Sequence, residues 1–110
     1  MMVLYLAGPY TASHGRSVDS NIQTARLAAI DVWNKGHAAI CPHMNTAYMD
    51  NWGCNIGWQG FIDGDFEIIK RCDGLIMLPH WEQSKGACAE HKLARQLGLP
   101  IWVYPHIPDA

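Results

Sequence analysis

The chain has 110 residues, of which 49% are hydrophobic, and this fits one compact domain, residues 1–110, without room for a second. Eight Lys and Arg against ten Asp and Glu give a formal net charge of -2, and no basic run occurs. This charge pattern argues against a nucleic acid polymer or an anionic membrane as partner and favours a small molecule.

The cysteines and the first residues bear on the cellular setting. The opening apolar stretch Met1–Ala7 lacks a basic leader and is too short for a signal peptide or a membrane span. Four cysteines stand at wide, irregular spacings, so we expect reduced thiols in a cytoplasmic protein rather than a disulfide framework. No paired Cys or His spacing of a metal site occurs, and we expect neither metal nor cofactor.

The first half of the chain alternates strand and helix patterns. The apolar run Met2–Ala7 predicts a buried strand that stops at Gly8-Pro9. The spacing Ser20–Gln23 predicts a capping box at the start of a helix, and Lys35-Gly36 predicts its end. The run His37–Cys41 then predicts a short second strand.

The segment Met44–Gly60 keeps neither a strand nor a helix period and mixes aromatic residues with Asn and Gly. We expect a long functional loop whose aromatic rings either stack on a planar ligand or cover the core or a subunit interface. The later elements are a helix from about Phe61 to Arg71, a strand at Gly74–Leu78, a loop at His80–Lys85, a helix at Gly86–Leu97 closed by Gly98, and a strand at Ile101–Tyr104.

This alternation predicts the fold class and the place of a site. We expect a three-layer α/β domain, Rossmann-like and flavodoxin-like, around a parallel sheet of four to five strands. Ligands of such folds bind beyond the carboxyl ends of the strands. The loops that would meet there are Gly8-Pro9-Tyr10, Pro42-His43 and Pro79–Gly86.

Two acidic residues stand on helix positions that should be apolar. Asp65 and Glu90 each have apolar residues three and four positions away. An inward carboxylate is costly unless it is paired, hydrogen-bonded or used in chemistry, so two of them in one small domain predict an acid/base or nucleophile site. A single one is as often structural, held by backbone amides or at a helix end.

Ser84, Lys85 and Gly86 open the helix that carries Glu90. They offer a hydroxyl, an ammonium group and backbone amides, which together suit an anion such as phosphate. An ordinary Ser N-cap beside a surface Lys explains the same residues equally well. Glu90 follows Ser84 by about one and a half helical turns, so one sugar phosphate fits both.

Three motifs span nearly the whole chain: Tyr5-Leu-Ala-Gly-Pro9, Asp65 with Asp73 eight positions later, and Ser84-x-Gly-x-x-x-Glu90 with Ala94 and Gly98. With these motifs the chain resembles the nucleoside 2-deoxyribosyltransferase superfamily, which includes 2'-deoxynucleoside 5'-monophosphate N-glycosidases, and especially its small phage and bacterial branch with an Ala-Gly-Pro opening. The resemblance implies that Glu90 is the nucleophile at the anomeric carbon, that Asp65 assists proton transfer at the leaving base, and that Tyr5 orients Glu90.

Position 84 discriminates within the superfamily. Transferases that act on nucleosides have an Asp at the matching position, whereas monophosphate hydrolases have a Ser. The resemblance to the hydrolases implies that Ser84, Lys85 and the Gly86 amide bind a 5'-phosphate. The first loop departs from the Gly- and Arg-containing loop of those hydrolases and offers only Arg16 and hydroxyls. His43 is a base contact, a proton carrier or a plain loop residue.

We therefore expect hydrolysis of the N-glycosidic bond of a (deoxy)nucleoside 5'-monophosphate to free base and sugar phosphate, with two carboxylates about 5 Å apart. The expected partner is a small molecule, a nucleotide or nucleoside. Gly8, Pro9, Tyr10 and His43 would receive sugar and base. The alternatives are a deoxyribosyltransferase, a nucleotide-sensing module without turnover, and a structural domain with buried acids. We also expect a homodimer or higher oligomer, with residues 104–110 either donated to a neighbour's site or frayed.

Overall fold

The computed structural model of the protein describes residues 1–110 and confirms the α/β class. All four strands are parallel, in the order β2-β1-β3-β4. None of the helices combines the length and apolar character that a membrane crossing requires. In chain order the elements are β1 (Val3–Ala7), α1 (Val18–Asn34), β2 (Ala38–Ile40), α2 (Pro42–Asn45), α3 (Gly57–Ile69), β3 (Gly74–Met77), α4 (Lys85–Leu97) and β4 (Ile101–Val103).

Successive side chains of the two central strands enter opposite layers, as the pleat requires. On one face, Leu4 and Leu6 of β1 pack with the buried alanines and Val32 of α1. On the other face, Tyr5 and Ala7 of β1 pack with residues of α3 and α4. The three predicted layers are therefore present, and β1 delivers Tyr5 to the layer that also holds Glu90.

The predicted N-cap of helix α1, Ser20, was wrong, because the observed N-cap lies three residues earlier. Ser17 is the N-cap: its hydroxyl oxygen accepts from the Ser20 amide, and the Ser20 hydroxyl oxygen accepts from the Ser17 amide, both at 3.0 Å. The Ser20 hydroxyl thus replaces the Glu or Gln that usually completes a capping box. The predicted end is confirmed, with Lys35 as C-cap and Gly36 at a φ of +97°.

The long loop predicted at Met44–Gly60 is broken by regular structure. A 3-10 turn occupies Met49–Trp52, and α3 begins at Gly57 rather than at Phe61. Ile56 caps this helix without a side-chain hydrogen bond, and Gly57 has a φ of +73°. The helix start was missed because neither a polar cap nor a good helix former marks it.

The amino edge of the sheet is closed by the chain's own tail. The His37 Nε2–H donates to the Pro108 carbonyl at 2.8 Å, and His37 Nδ1 accepts from the Met2 amide at 3.1 Å. Lys35 pairs with Asp109 at 3.3 Å. Residues 104–110 contact their own domain rather than fray, through Tyr104, Pro108 and Asp109.

Candidate active site

A cavity of about 560 Å³ opens at the carboxyl edge of the sheet, where the loops after β1, β2 and β3 meet. Its walls come from these loops and from α3 and α4. Of the ten predicted site residues, Tyr5 alone is not on the wall, and it is fully buried against Glu90. The nine on the wall are Gly8, Pro9, Tyr10, His43, Asp65, Ser84, Lys85, Gly86 and Glu90.

Glu90 lies on the inward face of α4 and is only 4% exposed. The buried Ala87 and Ala94 flank it at helical spacing. The Tyr5 hydroxyl donates a hydrogen bond to Glu90 Oε2. Burial raises the pKa of Glu90 to about 8; the Tyr5 hydrogen bond opposes this shift, and the charge of Asp65 adds to it. Burial and the neighbouring acids also raise the pKa of Tyr5, so its hydroxyl stays a donor.

Asp65 projects from α3 into the same cavity and is half-buried. Burial raises its pKa to about 6, and the nearby Tyr5 hydroxyl limits the rise. The two carboxyls therefore share Tyr5 as a neighbour and feel each other's charge. Between about pH 6 and 8 such a pair keeps one proton, which is the state in which one carboxyl is an acid and the other a nucleophile.

Ser84 is the N-cap of α4, with its hydroxyl oxygen accepting from the Ala87 amide at 3.1 Å. Its hydroxyl hydrogen has no acceptor in the protein and remains available to a ligand. The Lys85 ammonium is exposed and lies 4.9 Å from the centre of the Trp58 ring. A Cβ on Gly86 would stand 3.2 Å from Ile62 Cδ1, so glycine lets α3 and α4 approach closely beside this corner.

The backbone of the first loop is held in place by a close contact with β3 and by hydrogen bonds from α1. A Cβ on Gly8 would stand 2.6 Å from Leu78 Cβ, so only glycine permits this approach to the end of β3. The Asn21 side-chain amide donates to the carbonyls of Tyr10 and Thr11 at 3.0 and 3.3 Å. The sequence interpretation missed Asn21, although a polar residue on the apolar face of α1 is the signal that identified the two acids.

His43 lines the cavity, but both of its ring nitrogens have partners within the protein. It is 2% exposed, and its Nε2–H donates to the Pro9 carbonyl at 2.6 Å. Its Nδ1 lies 3.5 Å from the Cys41 thiol. Burial lowers the pKa of His43 and raises that of Cys41 to about 11, so a neutral imidazole faces a protonated thiol.

The segment Met44–Gly60 contributes one aromatic ring to the cavity. Trp58 lines it, whereas Trp52 is 88% exposed and the Tyr48 hydroxyl donates to Asp19. Arg16 donates from Nη2 to Gln83 Oε1, which joins the first loop to the turn before α4. The Arg16 Nε is buried without a hydrogen-bond partner.

Fold and cavity together define a flavodoxin-like α/β domain with a two-carboxyl site at the carboxyl edge of its sheet. The chain belongs to the family described as a domain of unknown function (DUF4406), whose model matches residues 2–103. No curated protein matches the chain.

A solved structure with a similar fold is the 2-deoxyribosyltransferase of the psychrotolerant bacterium Bacillus psychrosaccharolyticus. The TM-score is 0.65 at 20% sequence identity, over 97% of this chain and 77% of that one. At this identity the likeness establishes the shared fold.

Proposed function

We propose that the protein is an N-glycosidase that splits nucleoside 5'-monophosphates, with preference for the deoxy sugar, into free base and sugar phosphate. One observation carries the proposal: Glu90 is buried, bound by Tyr5 and accompanied by Asp65 in a cavity whose other corner is the N-terminus of α4. A carboxylate nucleophile, an acid and an anion site thus belong to one cavity of nucleotide size.

In the first step the Glu90 carboxylate attacks the anomeric carbon. The bond between that carbon and the base nitrogen breaks, and its electron pair leaves with the base. Asp65 gives its proton to the departing nitrogen, and the sugar stays on Glu90 as an ester. Tyr5, hydrogen-bonded to Oε2, fixes the orientation of the attacking carboxylate.

In the second step Asp65, now ionised, takes a proton from a water molecule. The water oxygen bonds to the anomeric carbon, and the ester bond to Glu90 breaks. Both carboxyls return to their starting state, and the anomeric configuration is retained because the carbon is attacked twice.

The reaction needs one proton in the pair, on Asp65, when the base leaves. The raised pKa values of about 6 and 8 give the pair one proton near pH 7. In the empty site Glu90 has the higher pKa, so binding has to move the proton. A base nitrogen beside Asp65 accepts a hydrogen bond from the protonated form, and this favours the proton on Asp65 rather than on Glu90.

The 5'-phosphate would bind at the start of α4. Ser84 donates its hydroxyl hydrogen, Lys85 supplies a positive charge, and the amide of Gly86 belongs to the first turn, where helix amides lack partners. Arg16 is joined to this corner through its hydrogen bond to Gln83 and would add positive charge near the phosphate. These groups favour a monophosphate over a nucleoside.

Sugar and base would lie between the first loop and α3. Gly8, Pro9 and Tyr10 of the first loop and Trp58 of α3 line the cavity, and Tyr10 and Trp58 supply aromatic rings. A planar base gains dispersion and stacking energy between such surfaces.

A transferase is the second candidate, because the similar fold comes from a protein named as a 2-deoxyribosyltransferase and described as a biocatalyst for nucleoside synthesis. In the same site an acceptor base would replace water in the second step. A sensing module that binds nucleotide without turnover shares the cavity but not the chemistry.

The test is chromatography of bases released from ribo- and deoxynucleoside 5'-monophosphates and from the matching nucleosides. Release from monophosphates in water by the parent, and none by Glu90→Ala, is expected. Release that requires an added acceptor base identifies a transferase. No release, with nucleotide recovered intact from the protein, identifies a sensing module.

We also propose a cytoplasmic homo-oligomer, supported by four unpaired cysteines and by the exposed Leu27, Ile30 and Trp33 on α1. Light scattering of the purified protein tests it, and a monomer at high concentration would refute the oligomer.

A further inference from the structure

Two buried polar side chains outside the reacting pair direct their hydrogen bonds at one short stretch of backbone. Asn21 of α1 is 4% exposed and donates to the carbonyls of Tyr10 and Thr11. His43 of α2 is 2% exposed and donates to the carbonyl of Pro9. Three consecutive carbonyls of the first loop are therefore held from two different helices.

We propose that Asn21 and His43 are positioning residues that hold Pro9–Thr11 as a fixed wall of the cavity and act on the reaction through it. This inference rests on the proposed function and assigns His43 a different task from base contact or proton transfer. Neither side chain needs to touch the substrate for this role.

The tautomer of His43 follows from its two neighbours. The Pro9 carbonyl can only accept, so Nε2 carries the hydrogen. The Cys41 thiol is protonated and can donate, so Nδ1 is the acceptor. With both nitrogens engaged inside the protein, the ring has no proton to shuttle and no lone pair for a base.

The wall matters because Tyr10 is fixed at three points. Its carbonyl accepts from Asn21, its hydroxyl accepts from the Tyr48 amide at 2.9 Å, and its ring lies edge-on to His43 at 5.8 Å between centroids. A substrate packed on this ring takes its position relative to Glu90 from the loop. Displacement of bound groups by about 1 Å lowers rates by roughly a hundredfold.

The molecule offers a matched control in His37. This ring is 1% exposed, its Nε2–H also donates to a proline carbonyl, and its Nδ1 also accepts a hydrogen bond. It differs from His43 in place, because it lies at the amino edge of the sheet, away from the cavity. Loss of the two rings should therefore have similar effects on stability and different effects on the reaction.

The experiment compares His43→Leu, His43→Gln, Asn21→Leu, His37→Leu and His37→Gln by thermal unfolding and by base release from a deoxynucleoside monophosphate. We expect a 10- to 100-fold lower kcat/KM, largely through kcat, in His43→Leu and Asn21→Leu. His43→Gln keeps a donor at the Nε2 position and should recover to within about fivefold of the parent. Both His37 variants should keep parental kcat/KM at comparable losses of Tm.

Equal activity losses at His37 and His43 would overturn the inference in favour of a general effect on stability. Failure of His43→Gln to exceed His43→Leu would overturn it in favour of direct contact with substrate.

A second measurement separates this inference from the proposed function. Nitrogen-15 NMR of the parent protein at pH 7 should show His43 as the neutral Nε2–H tautomer. The Nδ1–H tautomer or an imidazolium would overturn the inference even if base is released. If the expected tautomer is found in a protein that releases no base, the proposed function fails, whereas the hydrogen bonding of the loop by His43 is supported.

Discussion

Acidic side chains at the two edges of the sheet lie in opposite environments. At the amino edge, His37 has a partner for each nitrogen and Asp73 accepts from the Val3 amide at 2.8 Å. At the carboxyl edge, Glu90 and Asp65 face a cavity with raised pKa values, and neither forms a salt bridge. The same parallel sheet therefore carries a satisfied end and a reactive end.

The difference shows at which edge the cost of burying a carboxylate charge is not offset by an ion pair. An acid at the amino edge is exposed and accepts one backbone amide, so its charge costs little. An acid at the carboxyl edge is desolvated without an ion pair, so its charge is costly and its proton is retained toward neutral pH. Retained protons on carboxyls are what glycosidic bond cleavage requires.

The largest expected effect is on base release, from a substitution that removes the nucleophile at the carboxyl edge. Glu90→Gln keeps the shape of the side chain but cannot attack carbon, so base release should fall by at least about a thousandfold. Chromatography of free base at pH 7 measures it. Release within tenfold of the parent would show that Glu90 is not the nucleophile.

Removal of the acid should have a smaller effect that depends on pH. The parent kcat/KM should rise through about pH 6, as one carboxyl ionises, and fall through about pH 8, as the second proton is lost. Asp65→Asn should lower the rate by about 10²- to 10³-fold and abolish the fall above pH 8, because no catalytic proton is left to lose. A parental alkaline limb in this variant would contradict the assigned acid.

Ser84→Asp sharpens the comparison at the anion corner. A carboxylate there repels phosphate, so KM for a monophosphate should rise about 10- to 100-fold while KM for the matching nucleoside stays within a few-fold. Steady-state kinetics with both substrates distinguish the two. Equal changes in both KM values would place the phosphate elsewhere.

Glu90 should also lower stability in a pH-dependent way. Its pKa is about 8 in the folded protein against an ordinary 4.5, so the folded state binds the extra proton more tightly. The contribution of Glu90 to the free energy of unfolding is therefore most favourable below about pH 4.5 and is lost as pH rises towards 8. Glu90→Gln should gain on the order of 2 kcal/mol, roughly 10 °C in Tm, at pH 9 and little at pH 5. A pH-independent difference in Tm would refute the desolvated carboxyl.

The smallest effect is expected at the amino edge. Asp73→Ala removes the acceptor of the Val3 amide and should cost about 1 kcal/mol of unfolding free energy with unchanged kcat/KM. Urea unfolding and base release measure the two quantities. A loss of activity beyond the loss of folded protein would mean that the edges are coupled.

The fold could be predicted because its signals are local. Each strand is an apolar run that ends at Gly or Pro, and the end of α4 is marked by Gly98 at a φ of +70°. The start of α3 could not be predicted, since Ile56 gives no capping signal. The start of α1 was displaced because Ser17 and Ser20 cap each other in an unusual pair.

The site was predictable where a polar residue breaks an apolar face, as Asp65 and Glu90 do. Asn21 gives the same signal in α1 but was read as part of a helix start. The engagement of both His43 nitrogens could not be read from sequence, because its partner Pro9 lies 34 positions away. Resemblance to a family supplied the roles of the acids, and the structure supplied the hydrogen bond from Tyr5 to Glu90.

The most direct test of the central claim is the mass of the protein quenched in acid during turnover of a deoxynucleoside monophosphate. The account predicts a sugar-phosphate ester on the peptide that contains Glu90, and none in Glu90→Gln. Base release with the adduct on another residue, or undiminished release by Glu90→Gln, would contradict it.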